Sequence, residues 1–184
     1  MISPASGILL IAEPFLKDPN FMRSVILLCR HEETEGSFGF VLNKLLHQKL
    51  EEIIPELSGF DLPIYEGGPV QMNTLHYIHQ YPNLLPESVK ITEEVYWGGD
   101  FETLKTLMQS DLIDIAKIRF FLGYSGWDSA QLAAEIEQKS WITLPANQTL
   151  IFNTAPEDIW KASLLHLGGK YEIMIHFPTD PQLN

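Results

Sequence analysis

Two features of the chain are of the residue types that do chemistry: its six histidines, and the run Gly123-Tyr124-Ser125-Gly126-Trp127. The run invites comparison with a hydrolase nucleophile elbow, which needs glycine two residues before and two after the serine. Trp127 stands where the second glycine belongs, its indole would crowd the strained turn, and no His with a downstream Asp is marked as a partner. No catalytic residue is assigned. Among the histidines only His76 and His79 come close in sequence, and their odd spacing on a strand sends them to opposite faces. Metal sites favour close ligand sets, so no metal site is expected. His31, followed by Glu32, Glu33 and Glu35, reads as a loop residue, and His166 suits the negative end of a helix dipole. Gly67-Gly68 and Gly98-Gly99 offer backbone amides to an anion. Neither carries a full Walker or dinucleotide pattern, so close backbone packing at strand ends is the plainer reading. No cofactor is implied.

Composition excludes other classes of function. At 184 residues the chain fits one domain, long enough to bury about two-thirds of its unfolded surface in a core. Twenty-four acidic residues face 12 basic ones, for a formal charge of −12, and such a balance repels nucleic-acid phosphates. Lys117 with Arg119 is the nearest thing to a basic patch and reads as a solvated strand face. The single cysteine, Cys29, rules out an internal disulfide and fits a reducing compartment; within Val25-Ile26-Leu27-Leu28-Cys29 it reads as a buried small apolar residue. The opening Met1-Ile2-Ser3-Pro4-Ala5 has no basic region, and no stretch approaches the roughly 20 apolar residues of a membrane span. The expectation is a cytoplasmic protein with no membrane partner.

The elements that must position these residues follow from local pattern. Gly7 to Ala12, Ser24 to Cys29 and Phe38 to Leu42 read as strands, the last two joined by an exposed loop. Leu50, Ile53, Ile54 and Leu57 have helical spacing, although Pro55 shortens that helix. Ile64 to Glu66, Leu75 to Tyr81 and Glu94 to Trp97 read as further strands, with His76 and Ile78 on one side of theirs and Tyr77 and His79 on the other. Asp100 is placed to cap a helix carrying Phe101, Leu104, Leu107 and Met108. Ile118 to Leu122 reads as a covered strand, followed by a tight turn at Gly123 to Gly126 and a helix capped by Asp128, with Gln131 as the capping-box partner. In that helix Leu132, Ile136 and Ala133 face inward and Glu135, Glu137 and Lys139 outward. Trp141 to Leu144 and Thr149 to Phe152 read as short strands. Thr154, Pro156 and Glu157 open a last helix that Gly168-Gly169 ends. Tyr171 to Phe177 reads as a final edge strand, with a polar tail from Pro178. No composition shift divides the chain. The fold class is α+β, a single domain with a largely antiparallel or mixed sheet packed by several helices.

Leu122-Gly123-Tyr124-Ser125-Gly126-Trp127, then Gln131-Leu132, Glu135 and Trp141, resembles the signature of the YqgE/AlgH family, bacterial proteins of uncharacterised function. Ala12-Glu13-Pro14 with Asp18 to Val25, His31 with Gly36 to Lys44, and Gly67-Gly68-Pro69-Val70 with Leu75-His76 agree in order and spacing, so the resemblance covers most of the chain. Leu45 stands where the family usually has proline, and Ala130 and Ala133 where it has glycine and glutamate. The resemblance implies the same fold class and singles out Arg23, His31, Asn43, Gly67, Gly68, His76, Tyr124, Trp127 and Gln131 as candidates for binding a ligand or partner. The family name carries a suggestion of transcriptional regulation, but the acidic charge and the lack of a helix-turn-helix argue against direct DNA binding. The expected function is a non-enzymatic binding or regulatory module for a protein or small-molecule partner. The alternative is a small-molecule enzyme whose groove gathers His31, Asn43, His76 and Tyr124.

Overall fold

The computed structural model describes residues 2–178, and the polar tail expected beyond Pro178 lies outside them. A ten-stranded sheet runs from β10 (Trp141–Pro145) through β1, β2, β3, β9, β6 and β8 to β7 (Val89–Lys90), with β5 alongside β9 and β4 alongside β5. Every pairing is antiparallel except that of β5 (Pro63–Glu66) with β9 (Ile118–Trp127). With its helices this makes the α+β domain that the sequence leads one to expect.

β1 (Ile8–Ala12) and β2 (Val25–Glu32) lack polar alternation over Ile8–Ala12 and Val25–Cys29 because both faces are covered there. Leu9, Ile11, Val25, Leu27 and Cys29 enter one core with Ile159, Trp160 and Leu164 of helix α4 (Pro156–Leu167). Leu10, Ala12, Ile26 and Leu28 enter another with Leu132 and Ile136 of α3 (Gln131–Glu137). A third core joins α2 (Phe101–Gln109) to β5 and β6 (Val70–His79). Asp100 caps α2, its carboxylate accepting from Thr103 N–H at 2.8 Å. Cys29 is buried, which pushes its thiol pKa well up.

β9 is the strand that joins these parts. Its first half lies between β6 and β5 (Ile118 opposite His79, Phe120 opposite both Tyr77 and Ile64), while Ser125 to Trp127 pair with Gly39 to Ser37 of β3 (Gly36–Val41). The tight turn expected at Gly123 to Gly126 is therefore corrected: the chain stays extended through Trp127. Gly123 (φ +67) is instead a bulge point, where residues 71–74 of β6 loop out opposite one residue of β9. A Cβ there would lie 2.6 Å from Gly68 O and 2.8 Å from Val70 O.

Other expectations give way for local reasons. Asp128 makes no cap: Ala130 (φ +65) occupies that position, and Gln131 Oε1 accepts from Asp128 N–H at 3.0 Å. Ala133 is exposed and Glu135 half-buried, the reverse of the expected order. Thr149–Asn153 is a wide helical turn, not a strand, started by Asn147 Oδ1, which accepts from the amides of Thr149 and Leu150. Thr154 does not cap α4 either; its hydroxyl donates to Thr149 O. Residues 171–177 do not form a strand: α5 (Lys170–Met174) places Tyr171, Met174 and Ile175 on one face against the α4 core, the i, i+3, i+4 spacing of a helix. Pro55 splits the expected helix into α1 (Leu50–Ile53) and a 3-10 turn (Pro55–Leu57), and β4 (Leu45–Lys49) is a strand that local pattern did not mark.

Candidate functional site

β3, β6, β8 (Tyr96–Trp97) and β9 converge on one groove. Phe38 projects from β3, His76 from β6, Trp97 from β8 and Tyr124 from β9, because alternate residues of neighbouring strands share a face. Each of these rings is half-buried. Phe38 lies 4.8 Å from Trp97 at 64° and 6.0 Å from Tyr124 at 78°. His76 lies 6.3 Å from Trp97 and meets Tyr124 nearly at a right angle. The groove holds about 490 Å³, with Arg30, Glu35 and Asp128 on its rim.

His76 is the polar group of its floor. Its Nε2 is buried and has no hydrogen-bond partner among the described residues, and burial lowers the ring's pKa. Phe40 packs against it at 5.2 Å. A second groove of about 380 Å³ shares His76 and Trp97 and continues over Leu75, Tyr77 and Phe101. His79, on the opposite face of β6, is fully buried and satisfied: Tyr81 N–H donates to its Nδ1 at 3.0 Å, so Nε2 carries the proton and donates to Gly98 O at 2.9 Å.

The nine candidates divide. His76, Tyr124 and Trp127 line the groove together. Trp127 is also core, 6% exposed, stacked against Phe21 and set edgewise to Trp141. Its indole N–H and that of Trp141 both donate to Glu135 Oε2, at 2.9 and 2.8 Å. Gln131 joins the same network by donating to Glu135 Oε1. His31 sits beside the groove, its Nδ1 2.7 Å from Ser37 Oγ, and lines a separate depression with Pro4 and Leu132. Asn43 and Arg23 lie elsewhere. Asn43 accepts from Val25 N–H and donates to Arg23 O, fixing a loop. The Arg23 guanidinium lies 4.8 Å over the Trp160 ring and donates to Phe177 O.

Gly67 and Gly68 serve packing. Gly67 O accepts from Val41 N–H and from the buried Ser125 hydroxyl, and a Cβ on either glycine would come within 2.3 Å of β9 atoms. Ser125, the would-be nucleophile, is thus consumed by a backbone bond. Arg119 is 7% exposed, not solvated: it donates to Leu42 O and Thr154 O and lies over Tyr65. The residues that local pattern missed are Phe38 and Trp97. Phe38 sits inside the Gly36 to Lys44 motif, and Trp97 just before a double glycine, but only the sheet order brings them together.

A profile described as AlgH-like matches residues 9–172. The chain belongs to the AlgH-like family. AlgH-like relatives include a UPF0301 protein of Cytophaga hutchinsonii, 42% identical over 179 residues, 97% of this chain and 98% of that one. Another, from Bacteroides fragilis, is 42% identical over 185 residues, 100% of this chain and 93% of that one. The solution structure of AlgH from Pseudomonas aeruginosa superposes with a TM-score of 0.73 at 28% identity over 97% of each chain. A Corynebacterium diphtheriae protein shares the fold with a TM-score of 0.77 at 24% identity, covering 96% of this chain and 94% of its own. The AlgH-like names state no activity, so function rests on the groove.

Proposed function

We propose that the protein is a non-enzymatic binding module whose ligand or partner seats in the groove between β3, β6, β8 and β9. One observation carries this: His76 Nε2 is buried without a partner at the floor of an open, aromatic-walled groove. Leaving such a nitrogen unpaired costs about 1–3 kcal/mol, which an occupant recovers by drawing the half-buried imidazole outward into a hydrogen bond. The groove also has the mix of apolar wall and few polar groups that small-molecule sites use. The enzyme reading draws less support, because Asn43 is tied into a loop away from the groove and His31 opens onto a different depression. A regulatory role, in this reading, works through the occupant and not through contact with DNA, in keeping with the charge of −12. We place the protein in the cytoplasm on its single, buried cysteine. No helix among the described residues is long and apolar enough to cross a membrane.

The test is a thermal-shift screen of diverse small molecules and peptides, followed by NMR of the hits. The expected result is hits that stabilise the parent, move the His76 and Trp97 resonances, and lose affinity in His76→Ala. A screen whose hits leave those resonances unmoved would overturn the proposal.

A further inference from the structure

We infer that the groove takes an organic cation, an alkylated ammonium head bearing a short apolar tail, either free or as the side chain of a basic peptide; this rests on the groove being the ligand site. Three features lead there. First, the walls are aromatic and stand at steep angles: Phe38 is inclined 64° to Trp97 and 78° to Tyr124. Rings so arranged make a corner. A flat base or ring slots between parallel faces, and none of the neighbouring pairs Phe38–Trp97, Phe38–Tyr124, His76–Trp97 and His76–Tyr124 is parallel. A rounded, weakly hydrated cation instead gains from the negative face of any ring within about 6 Å of it.

Second, the rim is acidic. Arg30 is already engaged by Glu32 at 2.6 Å and by Glu35 at 2.7 Å. Asp128, exposed on the same rim, makes no side-chain hydrogen bond or ion pair among the described residues, so the one cation that lines the groove, Arg30, faces two carboxylates there, Glu35 and Asp128. An anionic ligand such as a nucleotide would meet repulsion there, and the chain's overall charge of −12 adds a field that draws cations in.

Third, the adjoining apolar groove shares Trp97 and His76 with the first and is floored by Leu75, Tyr77 and Phe101. A ligand with its charged head among Phe38, Trp97 and Tyr124 can lay a hydrocarbon tail past Trp97 into that second space. His76, at the junction, lines both grooves, so its ring flanks the path from head to tail.

The experiment titrates benzyltrimethylammonium, its uncharged isostere neopentylbenzene and benzenesulfonate into the protein, following the Trp97 indole signal by NMR. The cation is expected to saturate and to bind roughly tenfold more tightly than the isostere, the factor that a partly desolvated cation–π contact supplies. Benzenesulfonate should not bind. Glu35→Gln with Asp128→Asn, both exposed and outside the core, should weaken the cation several-fold and flatten its salt dependence. Trp97→Leu, titrated by calorimetry because it lacks the reporter indole, should bind the cation about an order of magnitude more weakly. A short peptide carrying trimethyl-lysine distinguishes the sources: tighter binding than the free cation indicates a side chain on a macromolecular partner, weaker binding a free metabolite, and both support the cation class. Equal affinity for the isostere, or no effect of the two rim substitutions, would overturn that class and leave the groove standing as an apolar site. If none of the three probes moves Trp97 the cation class fails, and if the broad screen is silent as well the groove reading fails with it.

Discussion

Trp127 and Trp141 share a single acceptor, Glu135 Oε2, and this fixes the cost of change at each residue nearby. Trp127→Ala removes a ring that is 6% exposed and packed against Phe21 and Trp141, and should cost about 3–5 kcal/mol. Glu135→Ala leaves two indole N–H groups without their acceptor and should cost about 2 kcal/mol. Asp128→Ala removes no cap and should stay within roughly 0.5 kcal/mol of the parent. Urea denaturation of the three variants checks that order, and a Trp127→Ala protein as stable as the parent would place the ring outside the core. Trp127 is buried with Leu132 and Trp141 because a large apolar residue between a covered strand and an amphipathic helix has few other places to go. Glu135 was misread: helical periodicity turned it outward, whereas a buried indole N–H needs a partner, and a carboxylate one or two turns away is the group to look for.

At the scale of elements, the strands flanked by clear punctuation were legible and those that depend on distant partners were not. β1, β2 and α2 announce themselves through an unbroken apolar run and a capping aspartate. β9 was cut short because Gly123 and Gly126 look locally like a turn, yet pairing with Ser37 to Gly39, more than eighty positions earlier in the chain, holds it extended. α5 was read as a strand because a short run can satisfy periods of 2 and 3.6 alike. The groove shared this limit: Phe38, His76, Trp97 and Tyr124 belong to four strands, and nothing local sets those strands side by side. Gly123→Ala tests the bulge. With φ at +67 and backbone oxygens 2.6 and 2.8 Å from any Cβ, it should destabilise by more than the roughly 1 kcal/mol of a simple left-handed penalty. Denaturation midpoints for Gly123→Ala and for Gly98→Ala, where a Cβ meets nothing within 4 Å, separate crowding from backbone strain. Equal losses would mean that crowding contributes nothing.

For the molecule as a whole, two buried imidazoles make stability depend on pH. Burial lowers the pKa of both His76 and His79, the latter partly offset by its bond to Gly98. A histidine whose pKa is lower folded than unfolded stabilises the fold above the unfolded value, about 6.5, and loses that contribution as pH falls through 6.5 toward the folded value. Protonation would also place a second donor on His79 against Tyr81 N–H. Thermal melts at about pH 7.5 and about pH 5.5 should show the parent losing more stability than His76→Gln over that interval, and equal losses would show that His76 does not contribute. The central place of β9 bears on the order in which the protein is made. During synthesis, β5 and β6 emerge before the strand that lies between them, and β1 waits still longer for β10 (Trp141–Pro145). Until about residue 127 clears the ribosome, the nascent chain carries bare strand edges that β9 alone can cover. A chain truncated before Ile118 should therefore fail to fold and bind to chaperones, while the full chain should fold, and limited proteolysis of stalled nascent chains would date the change.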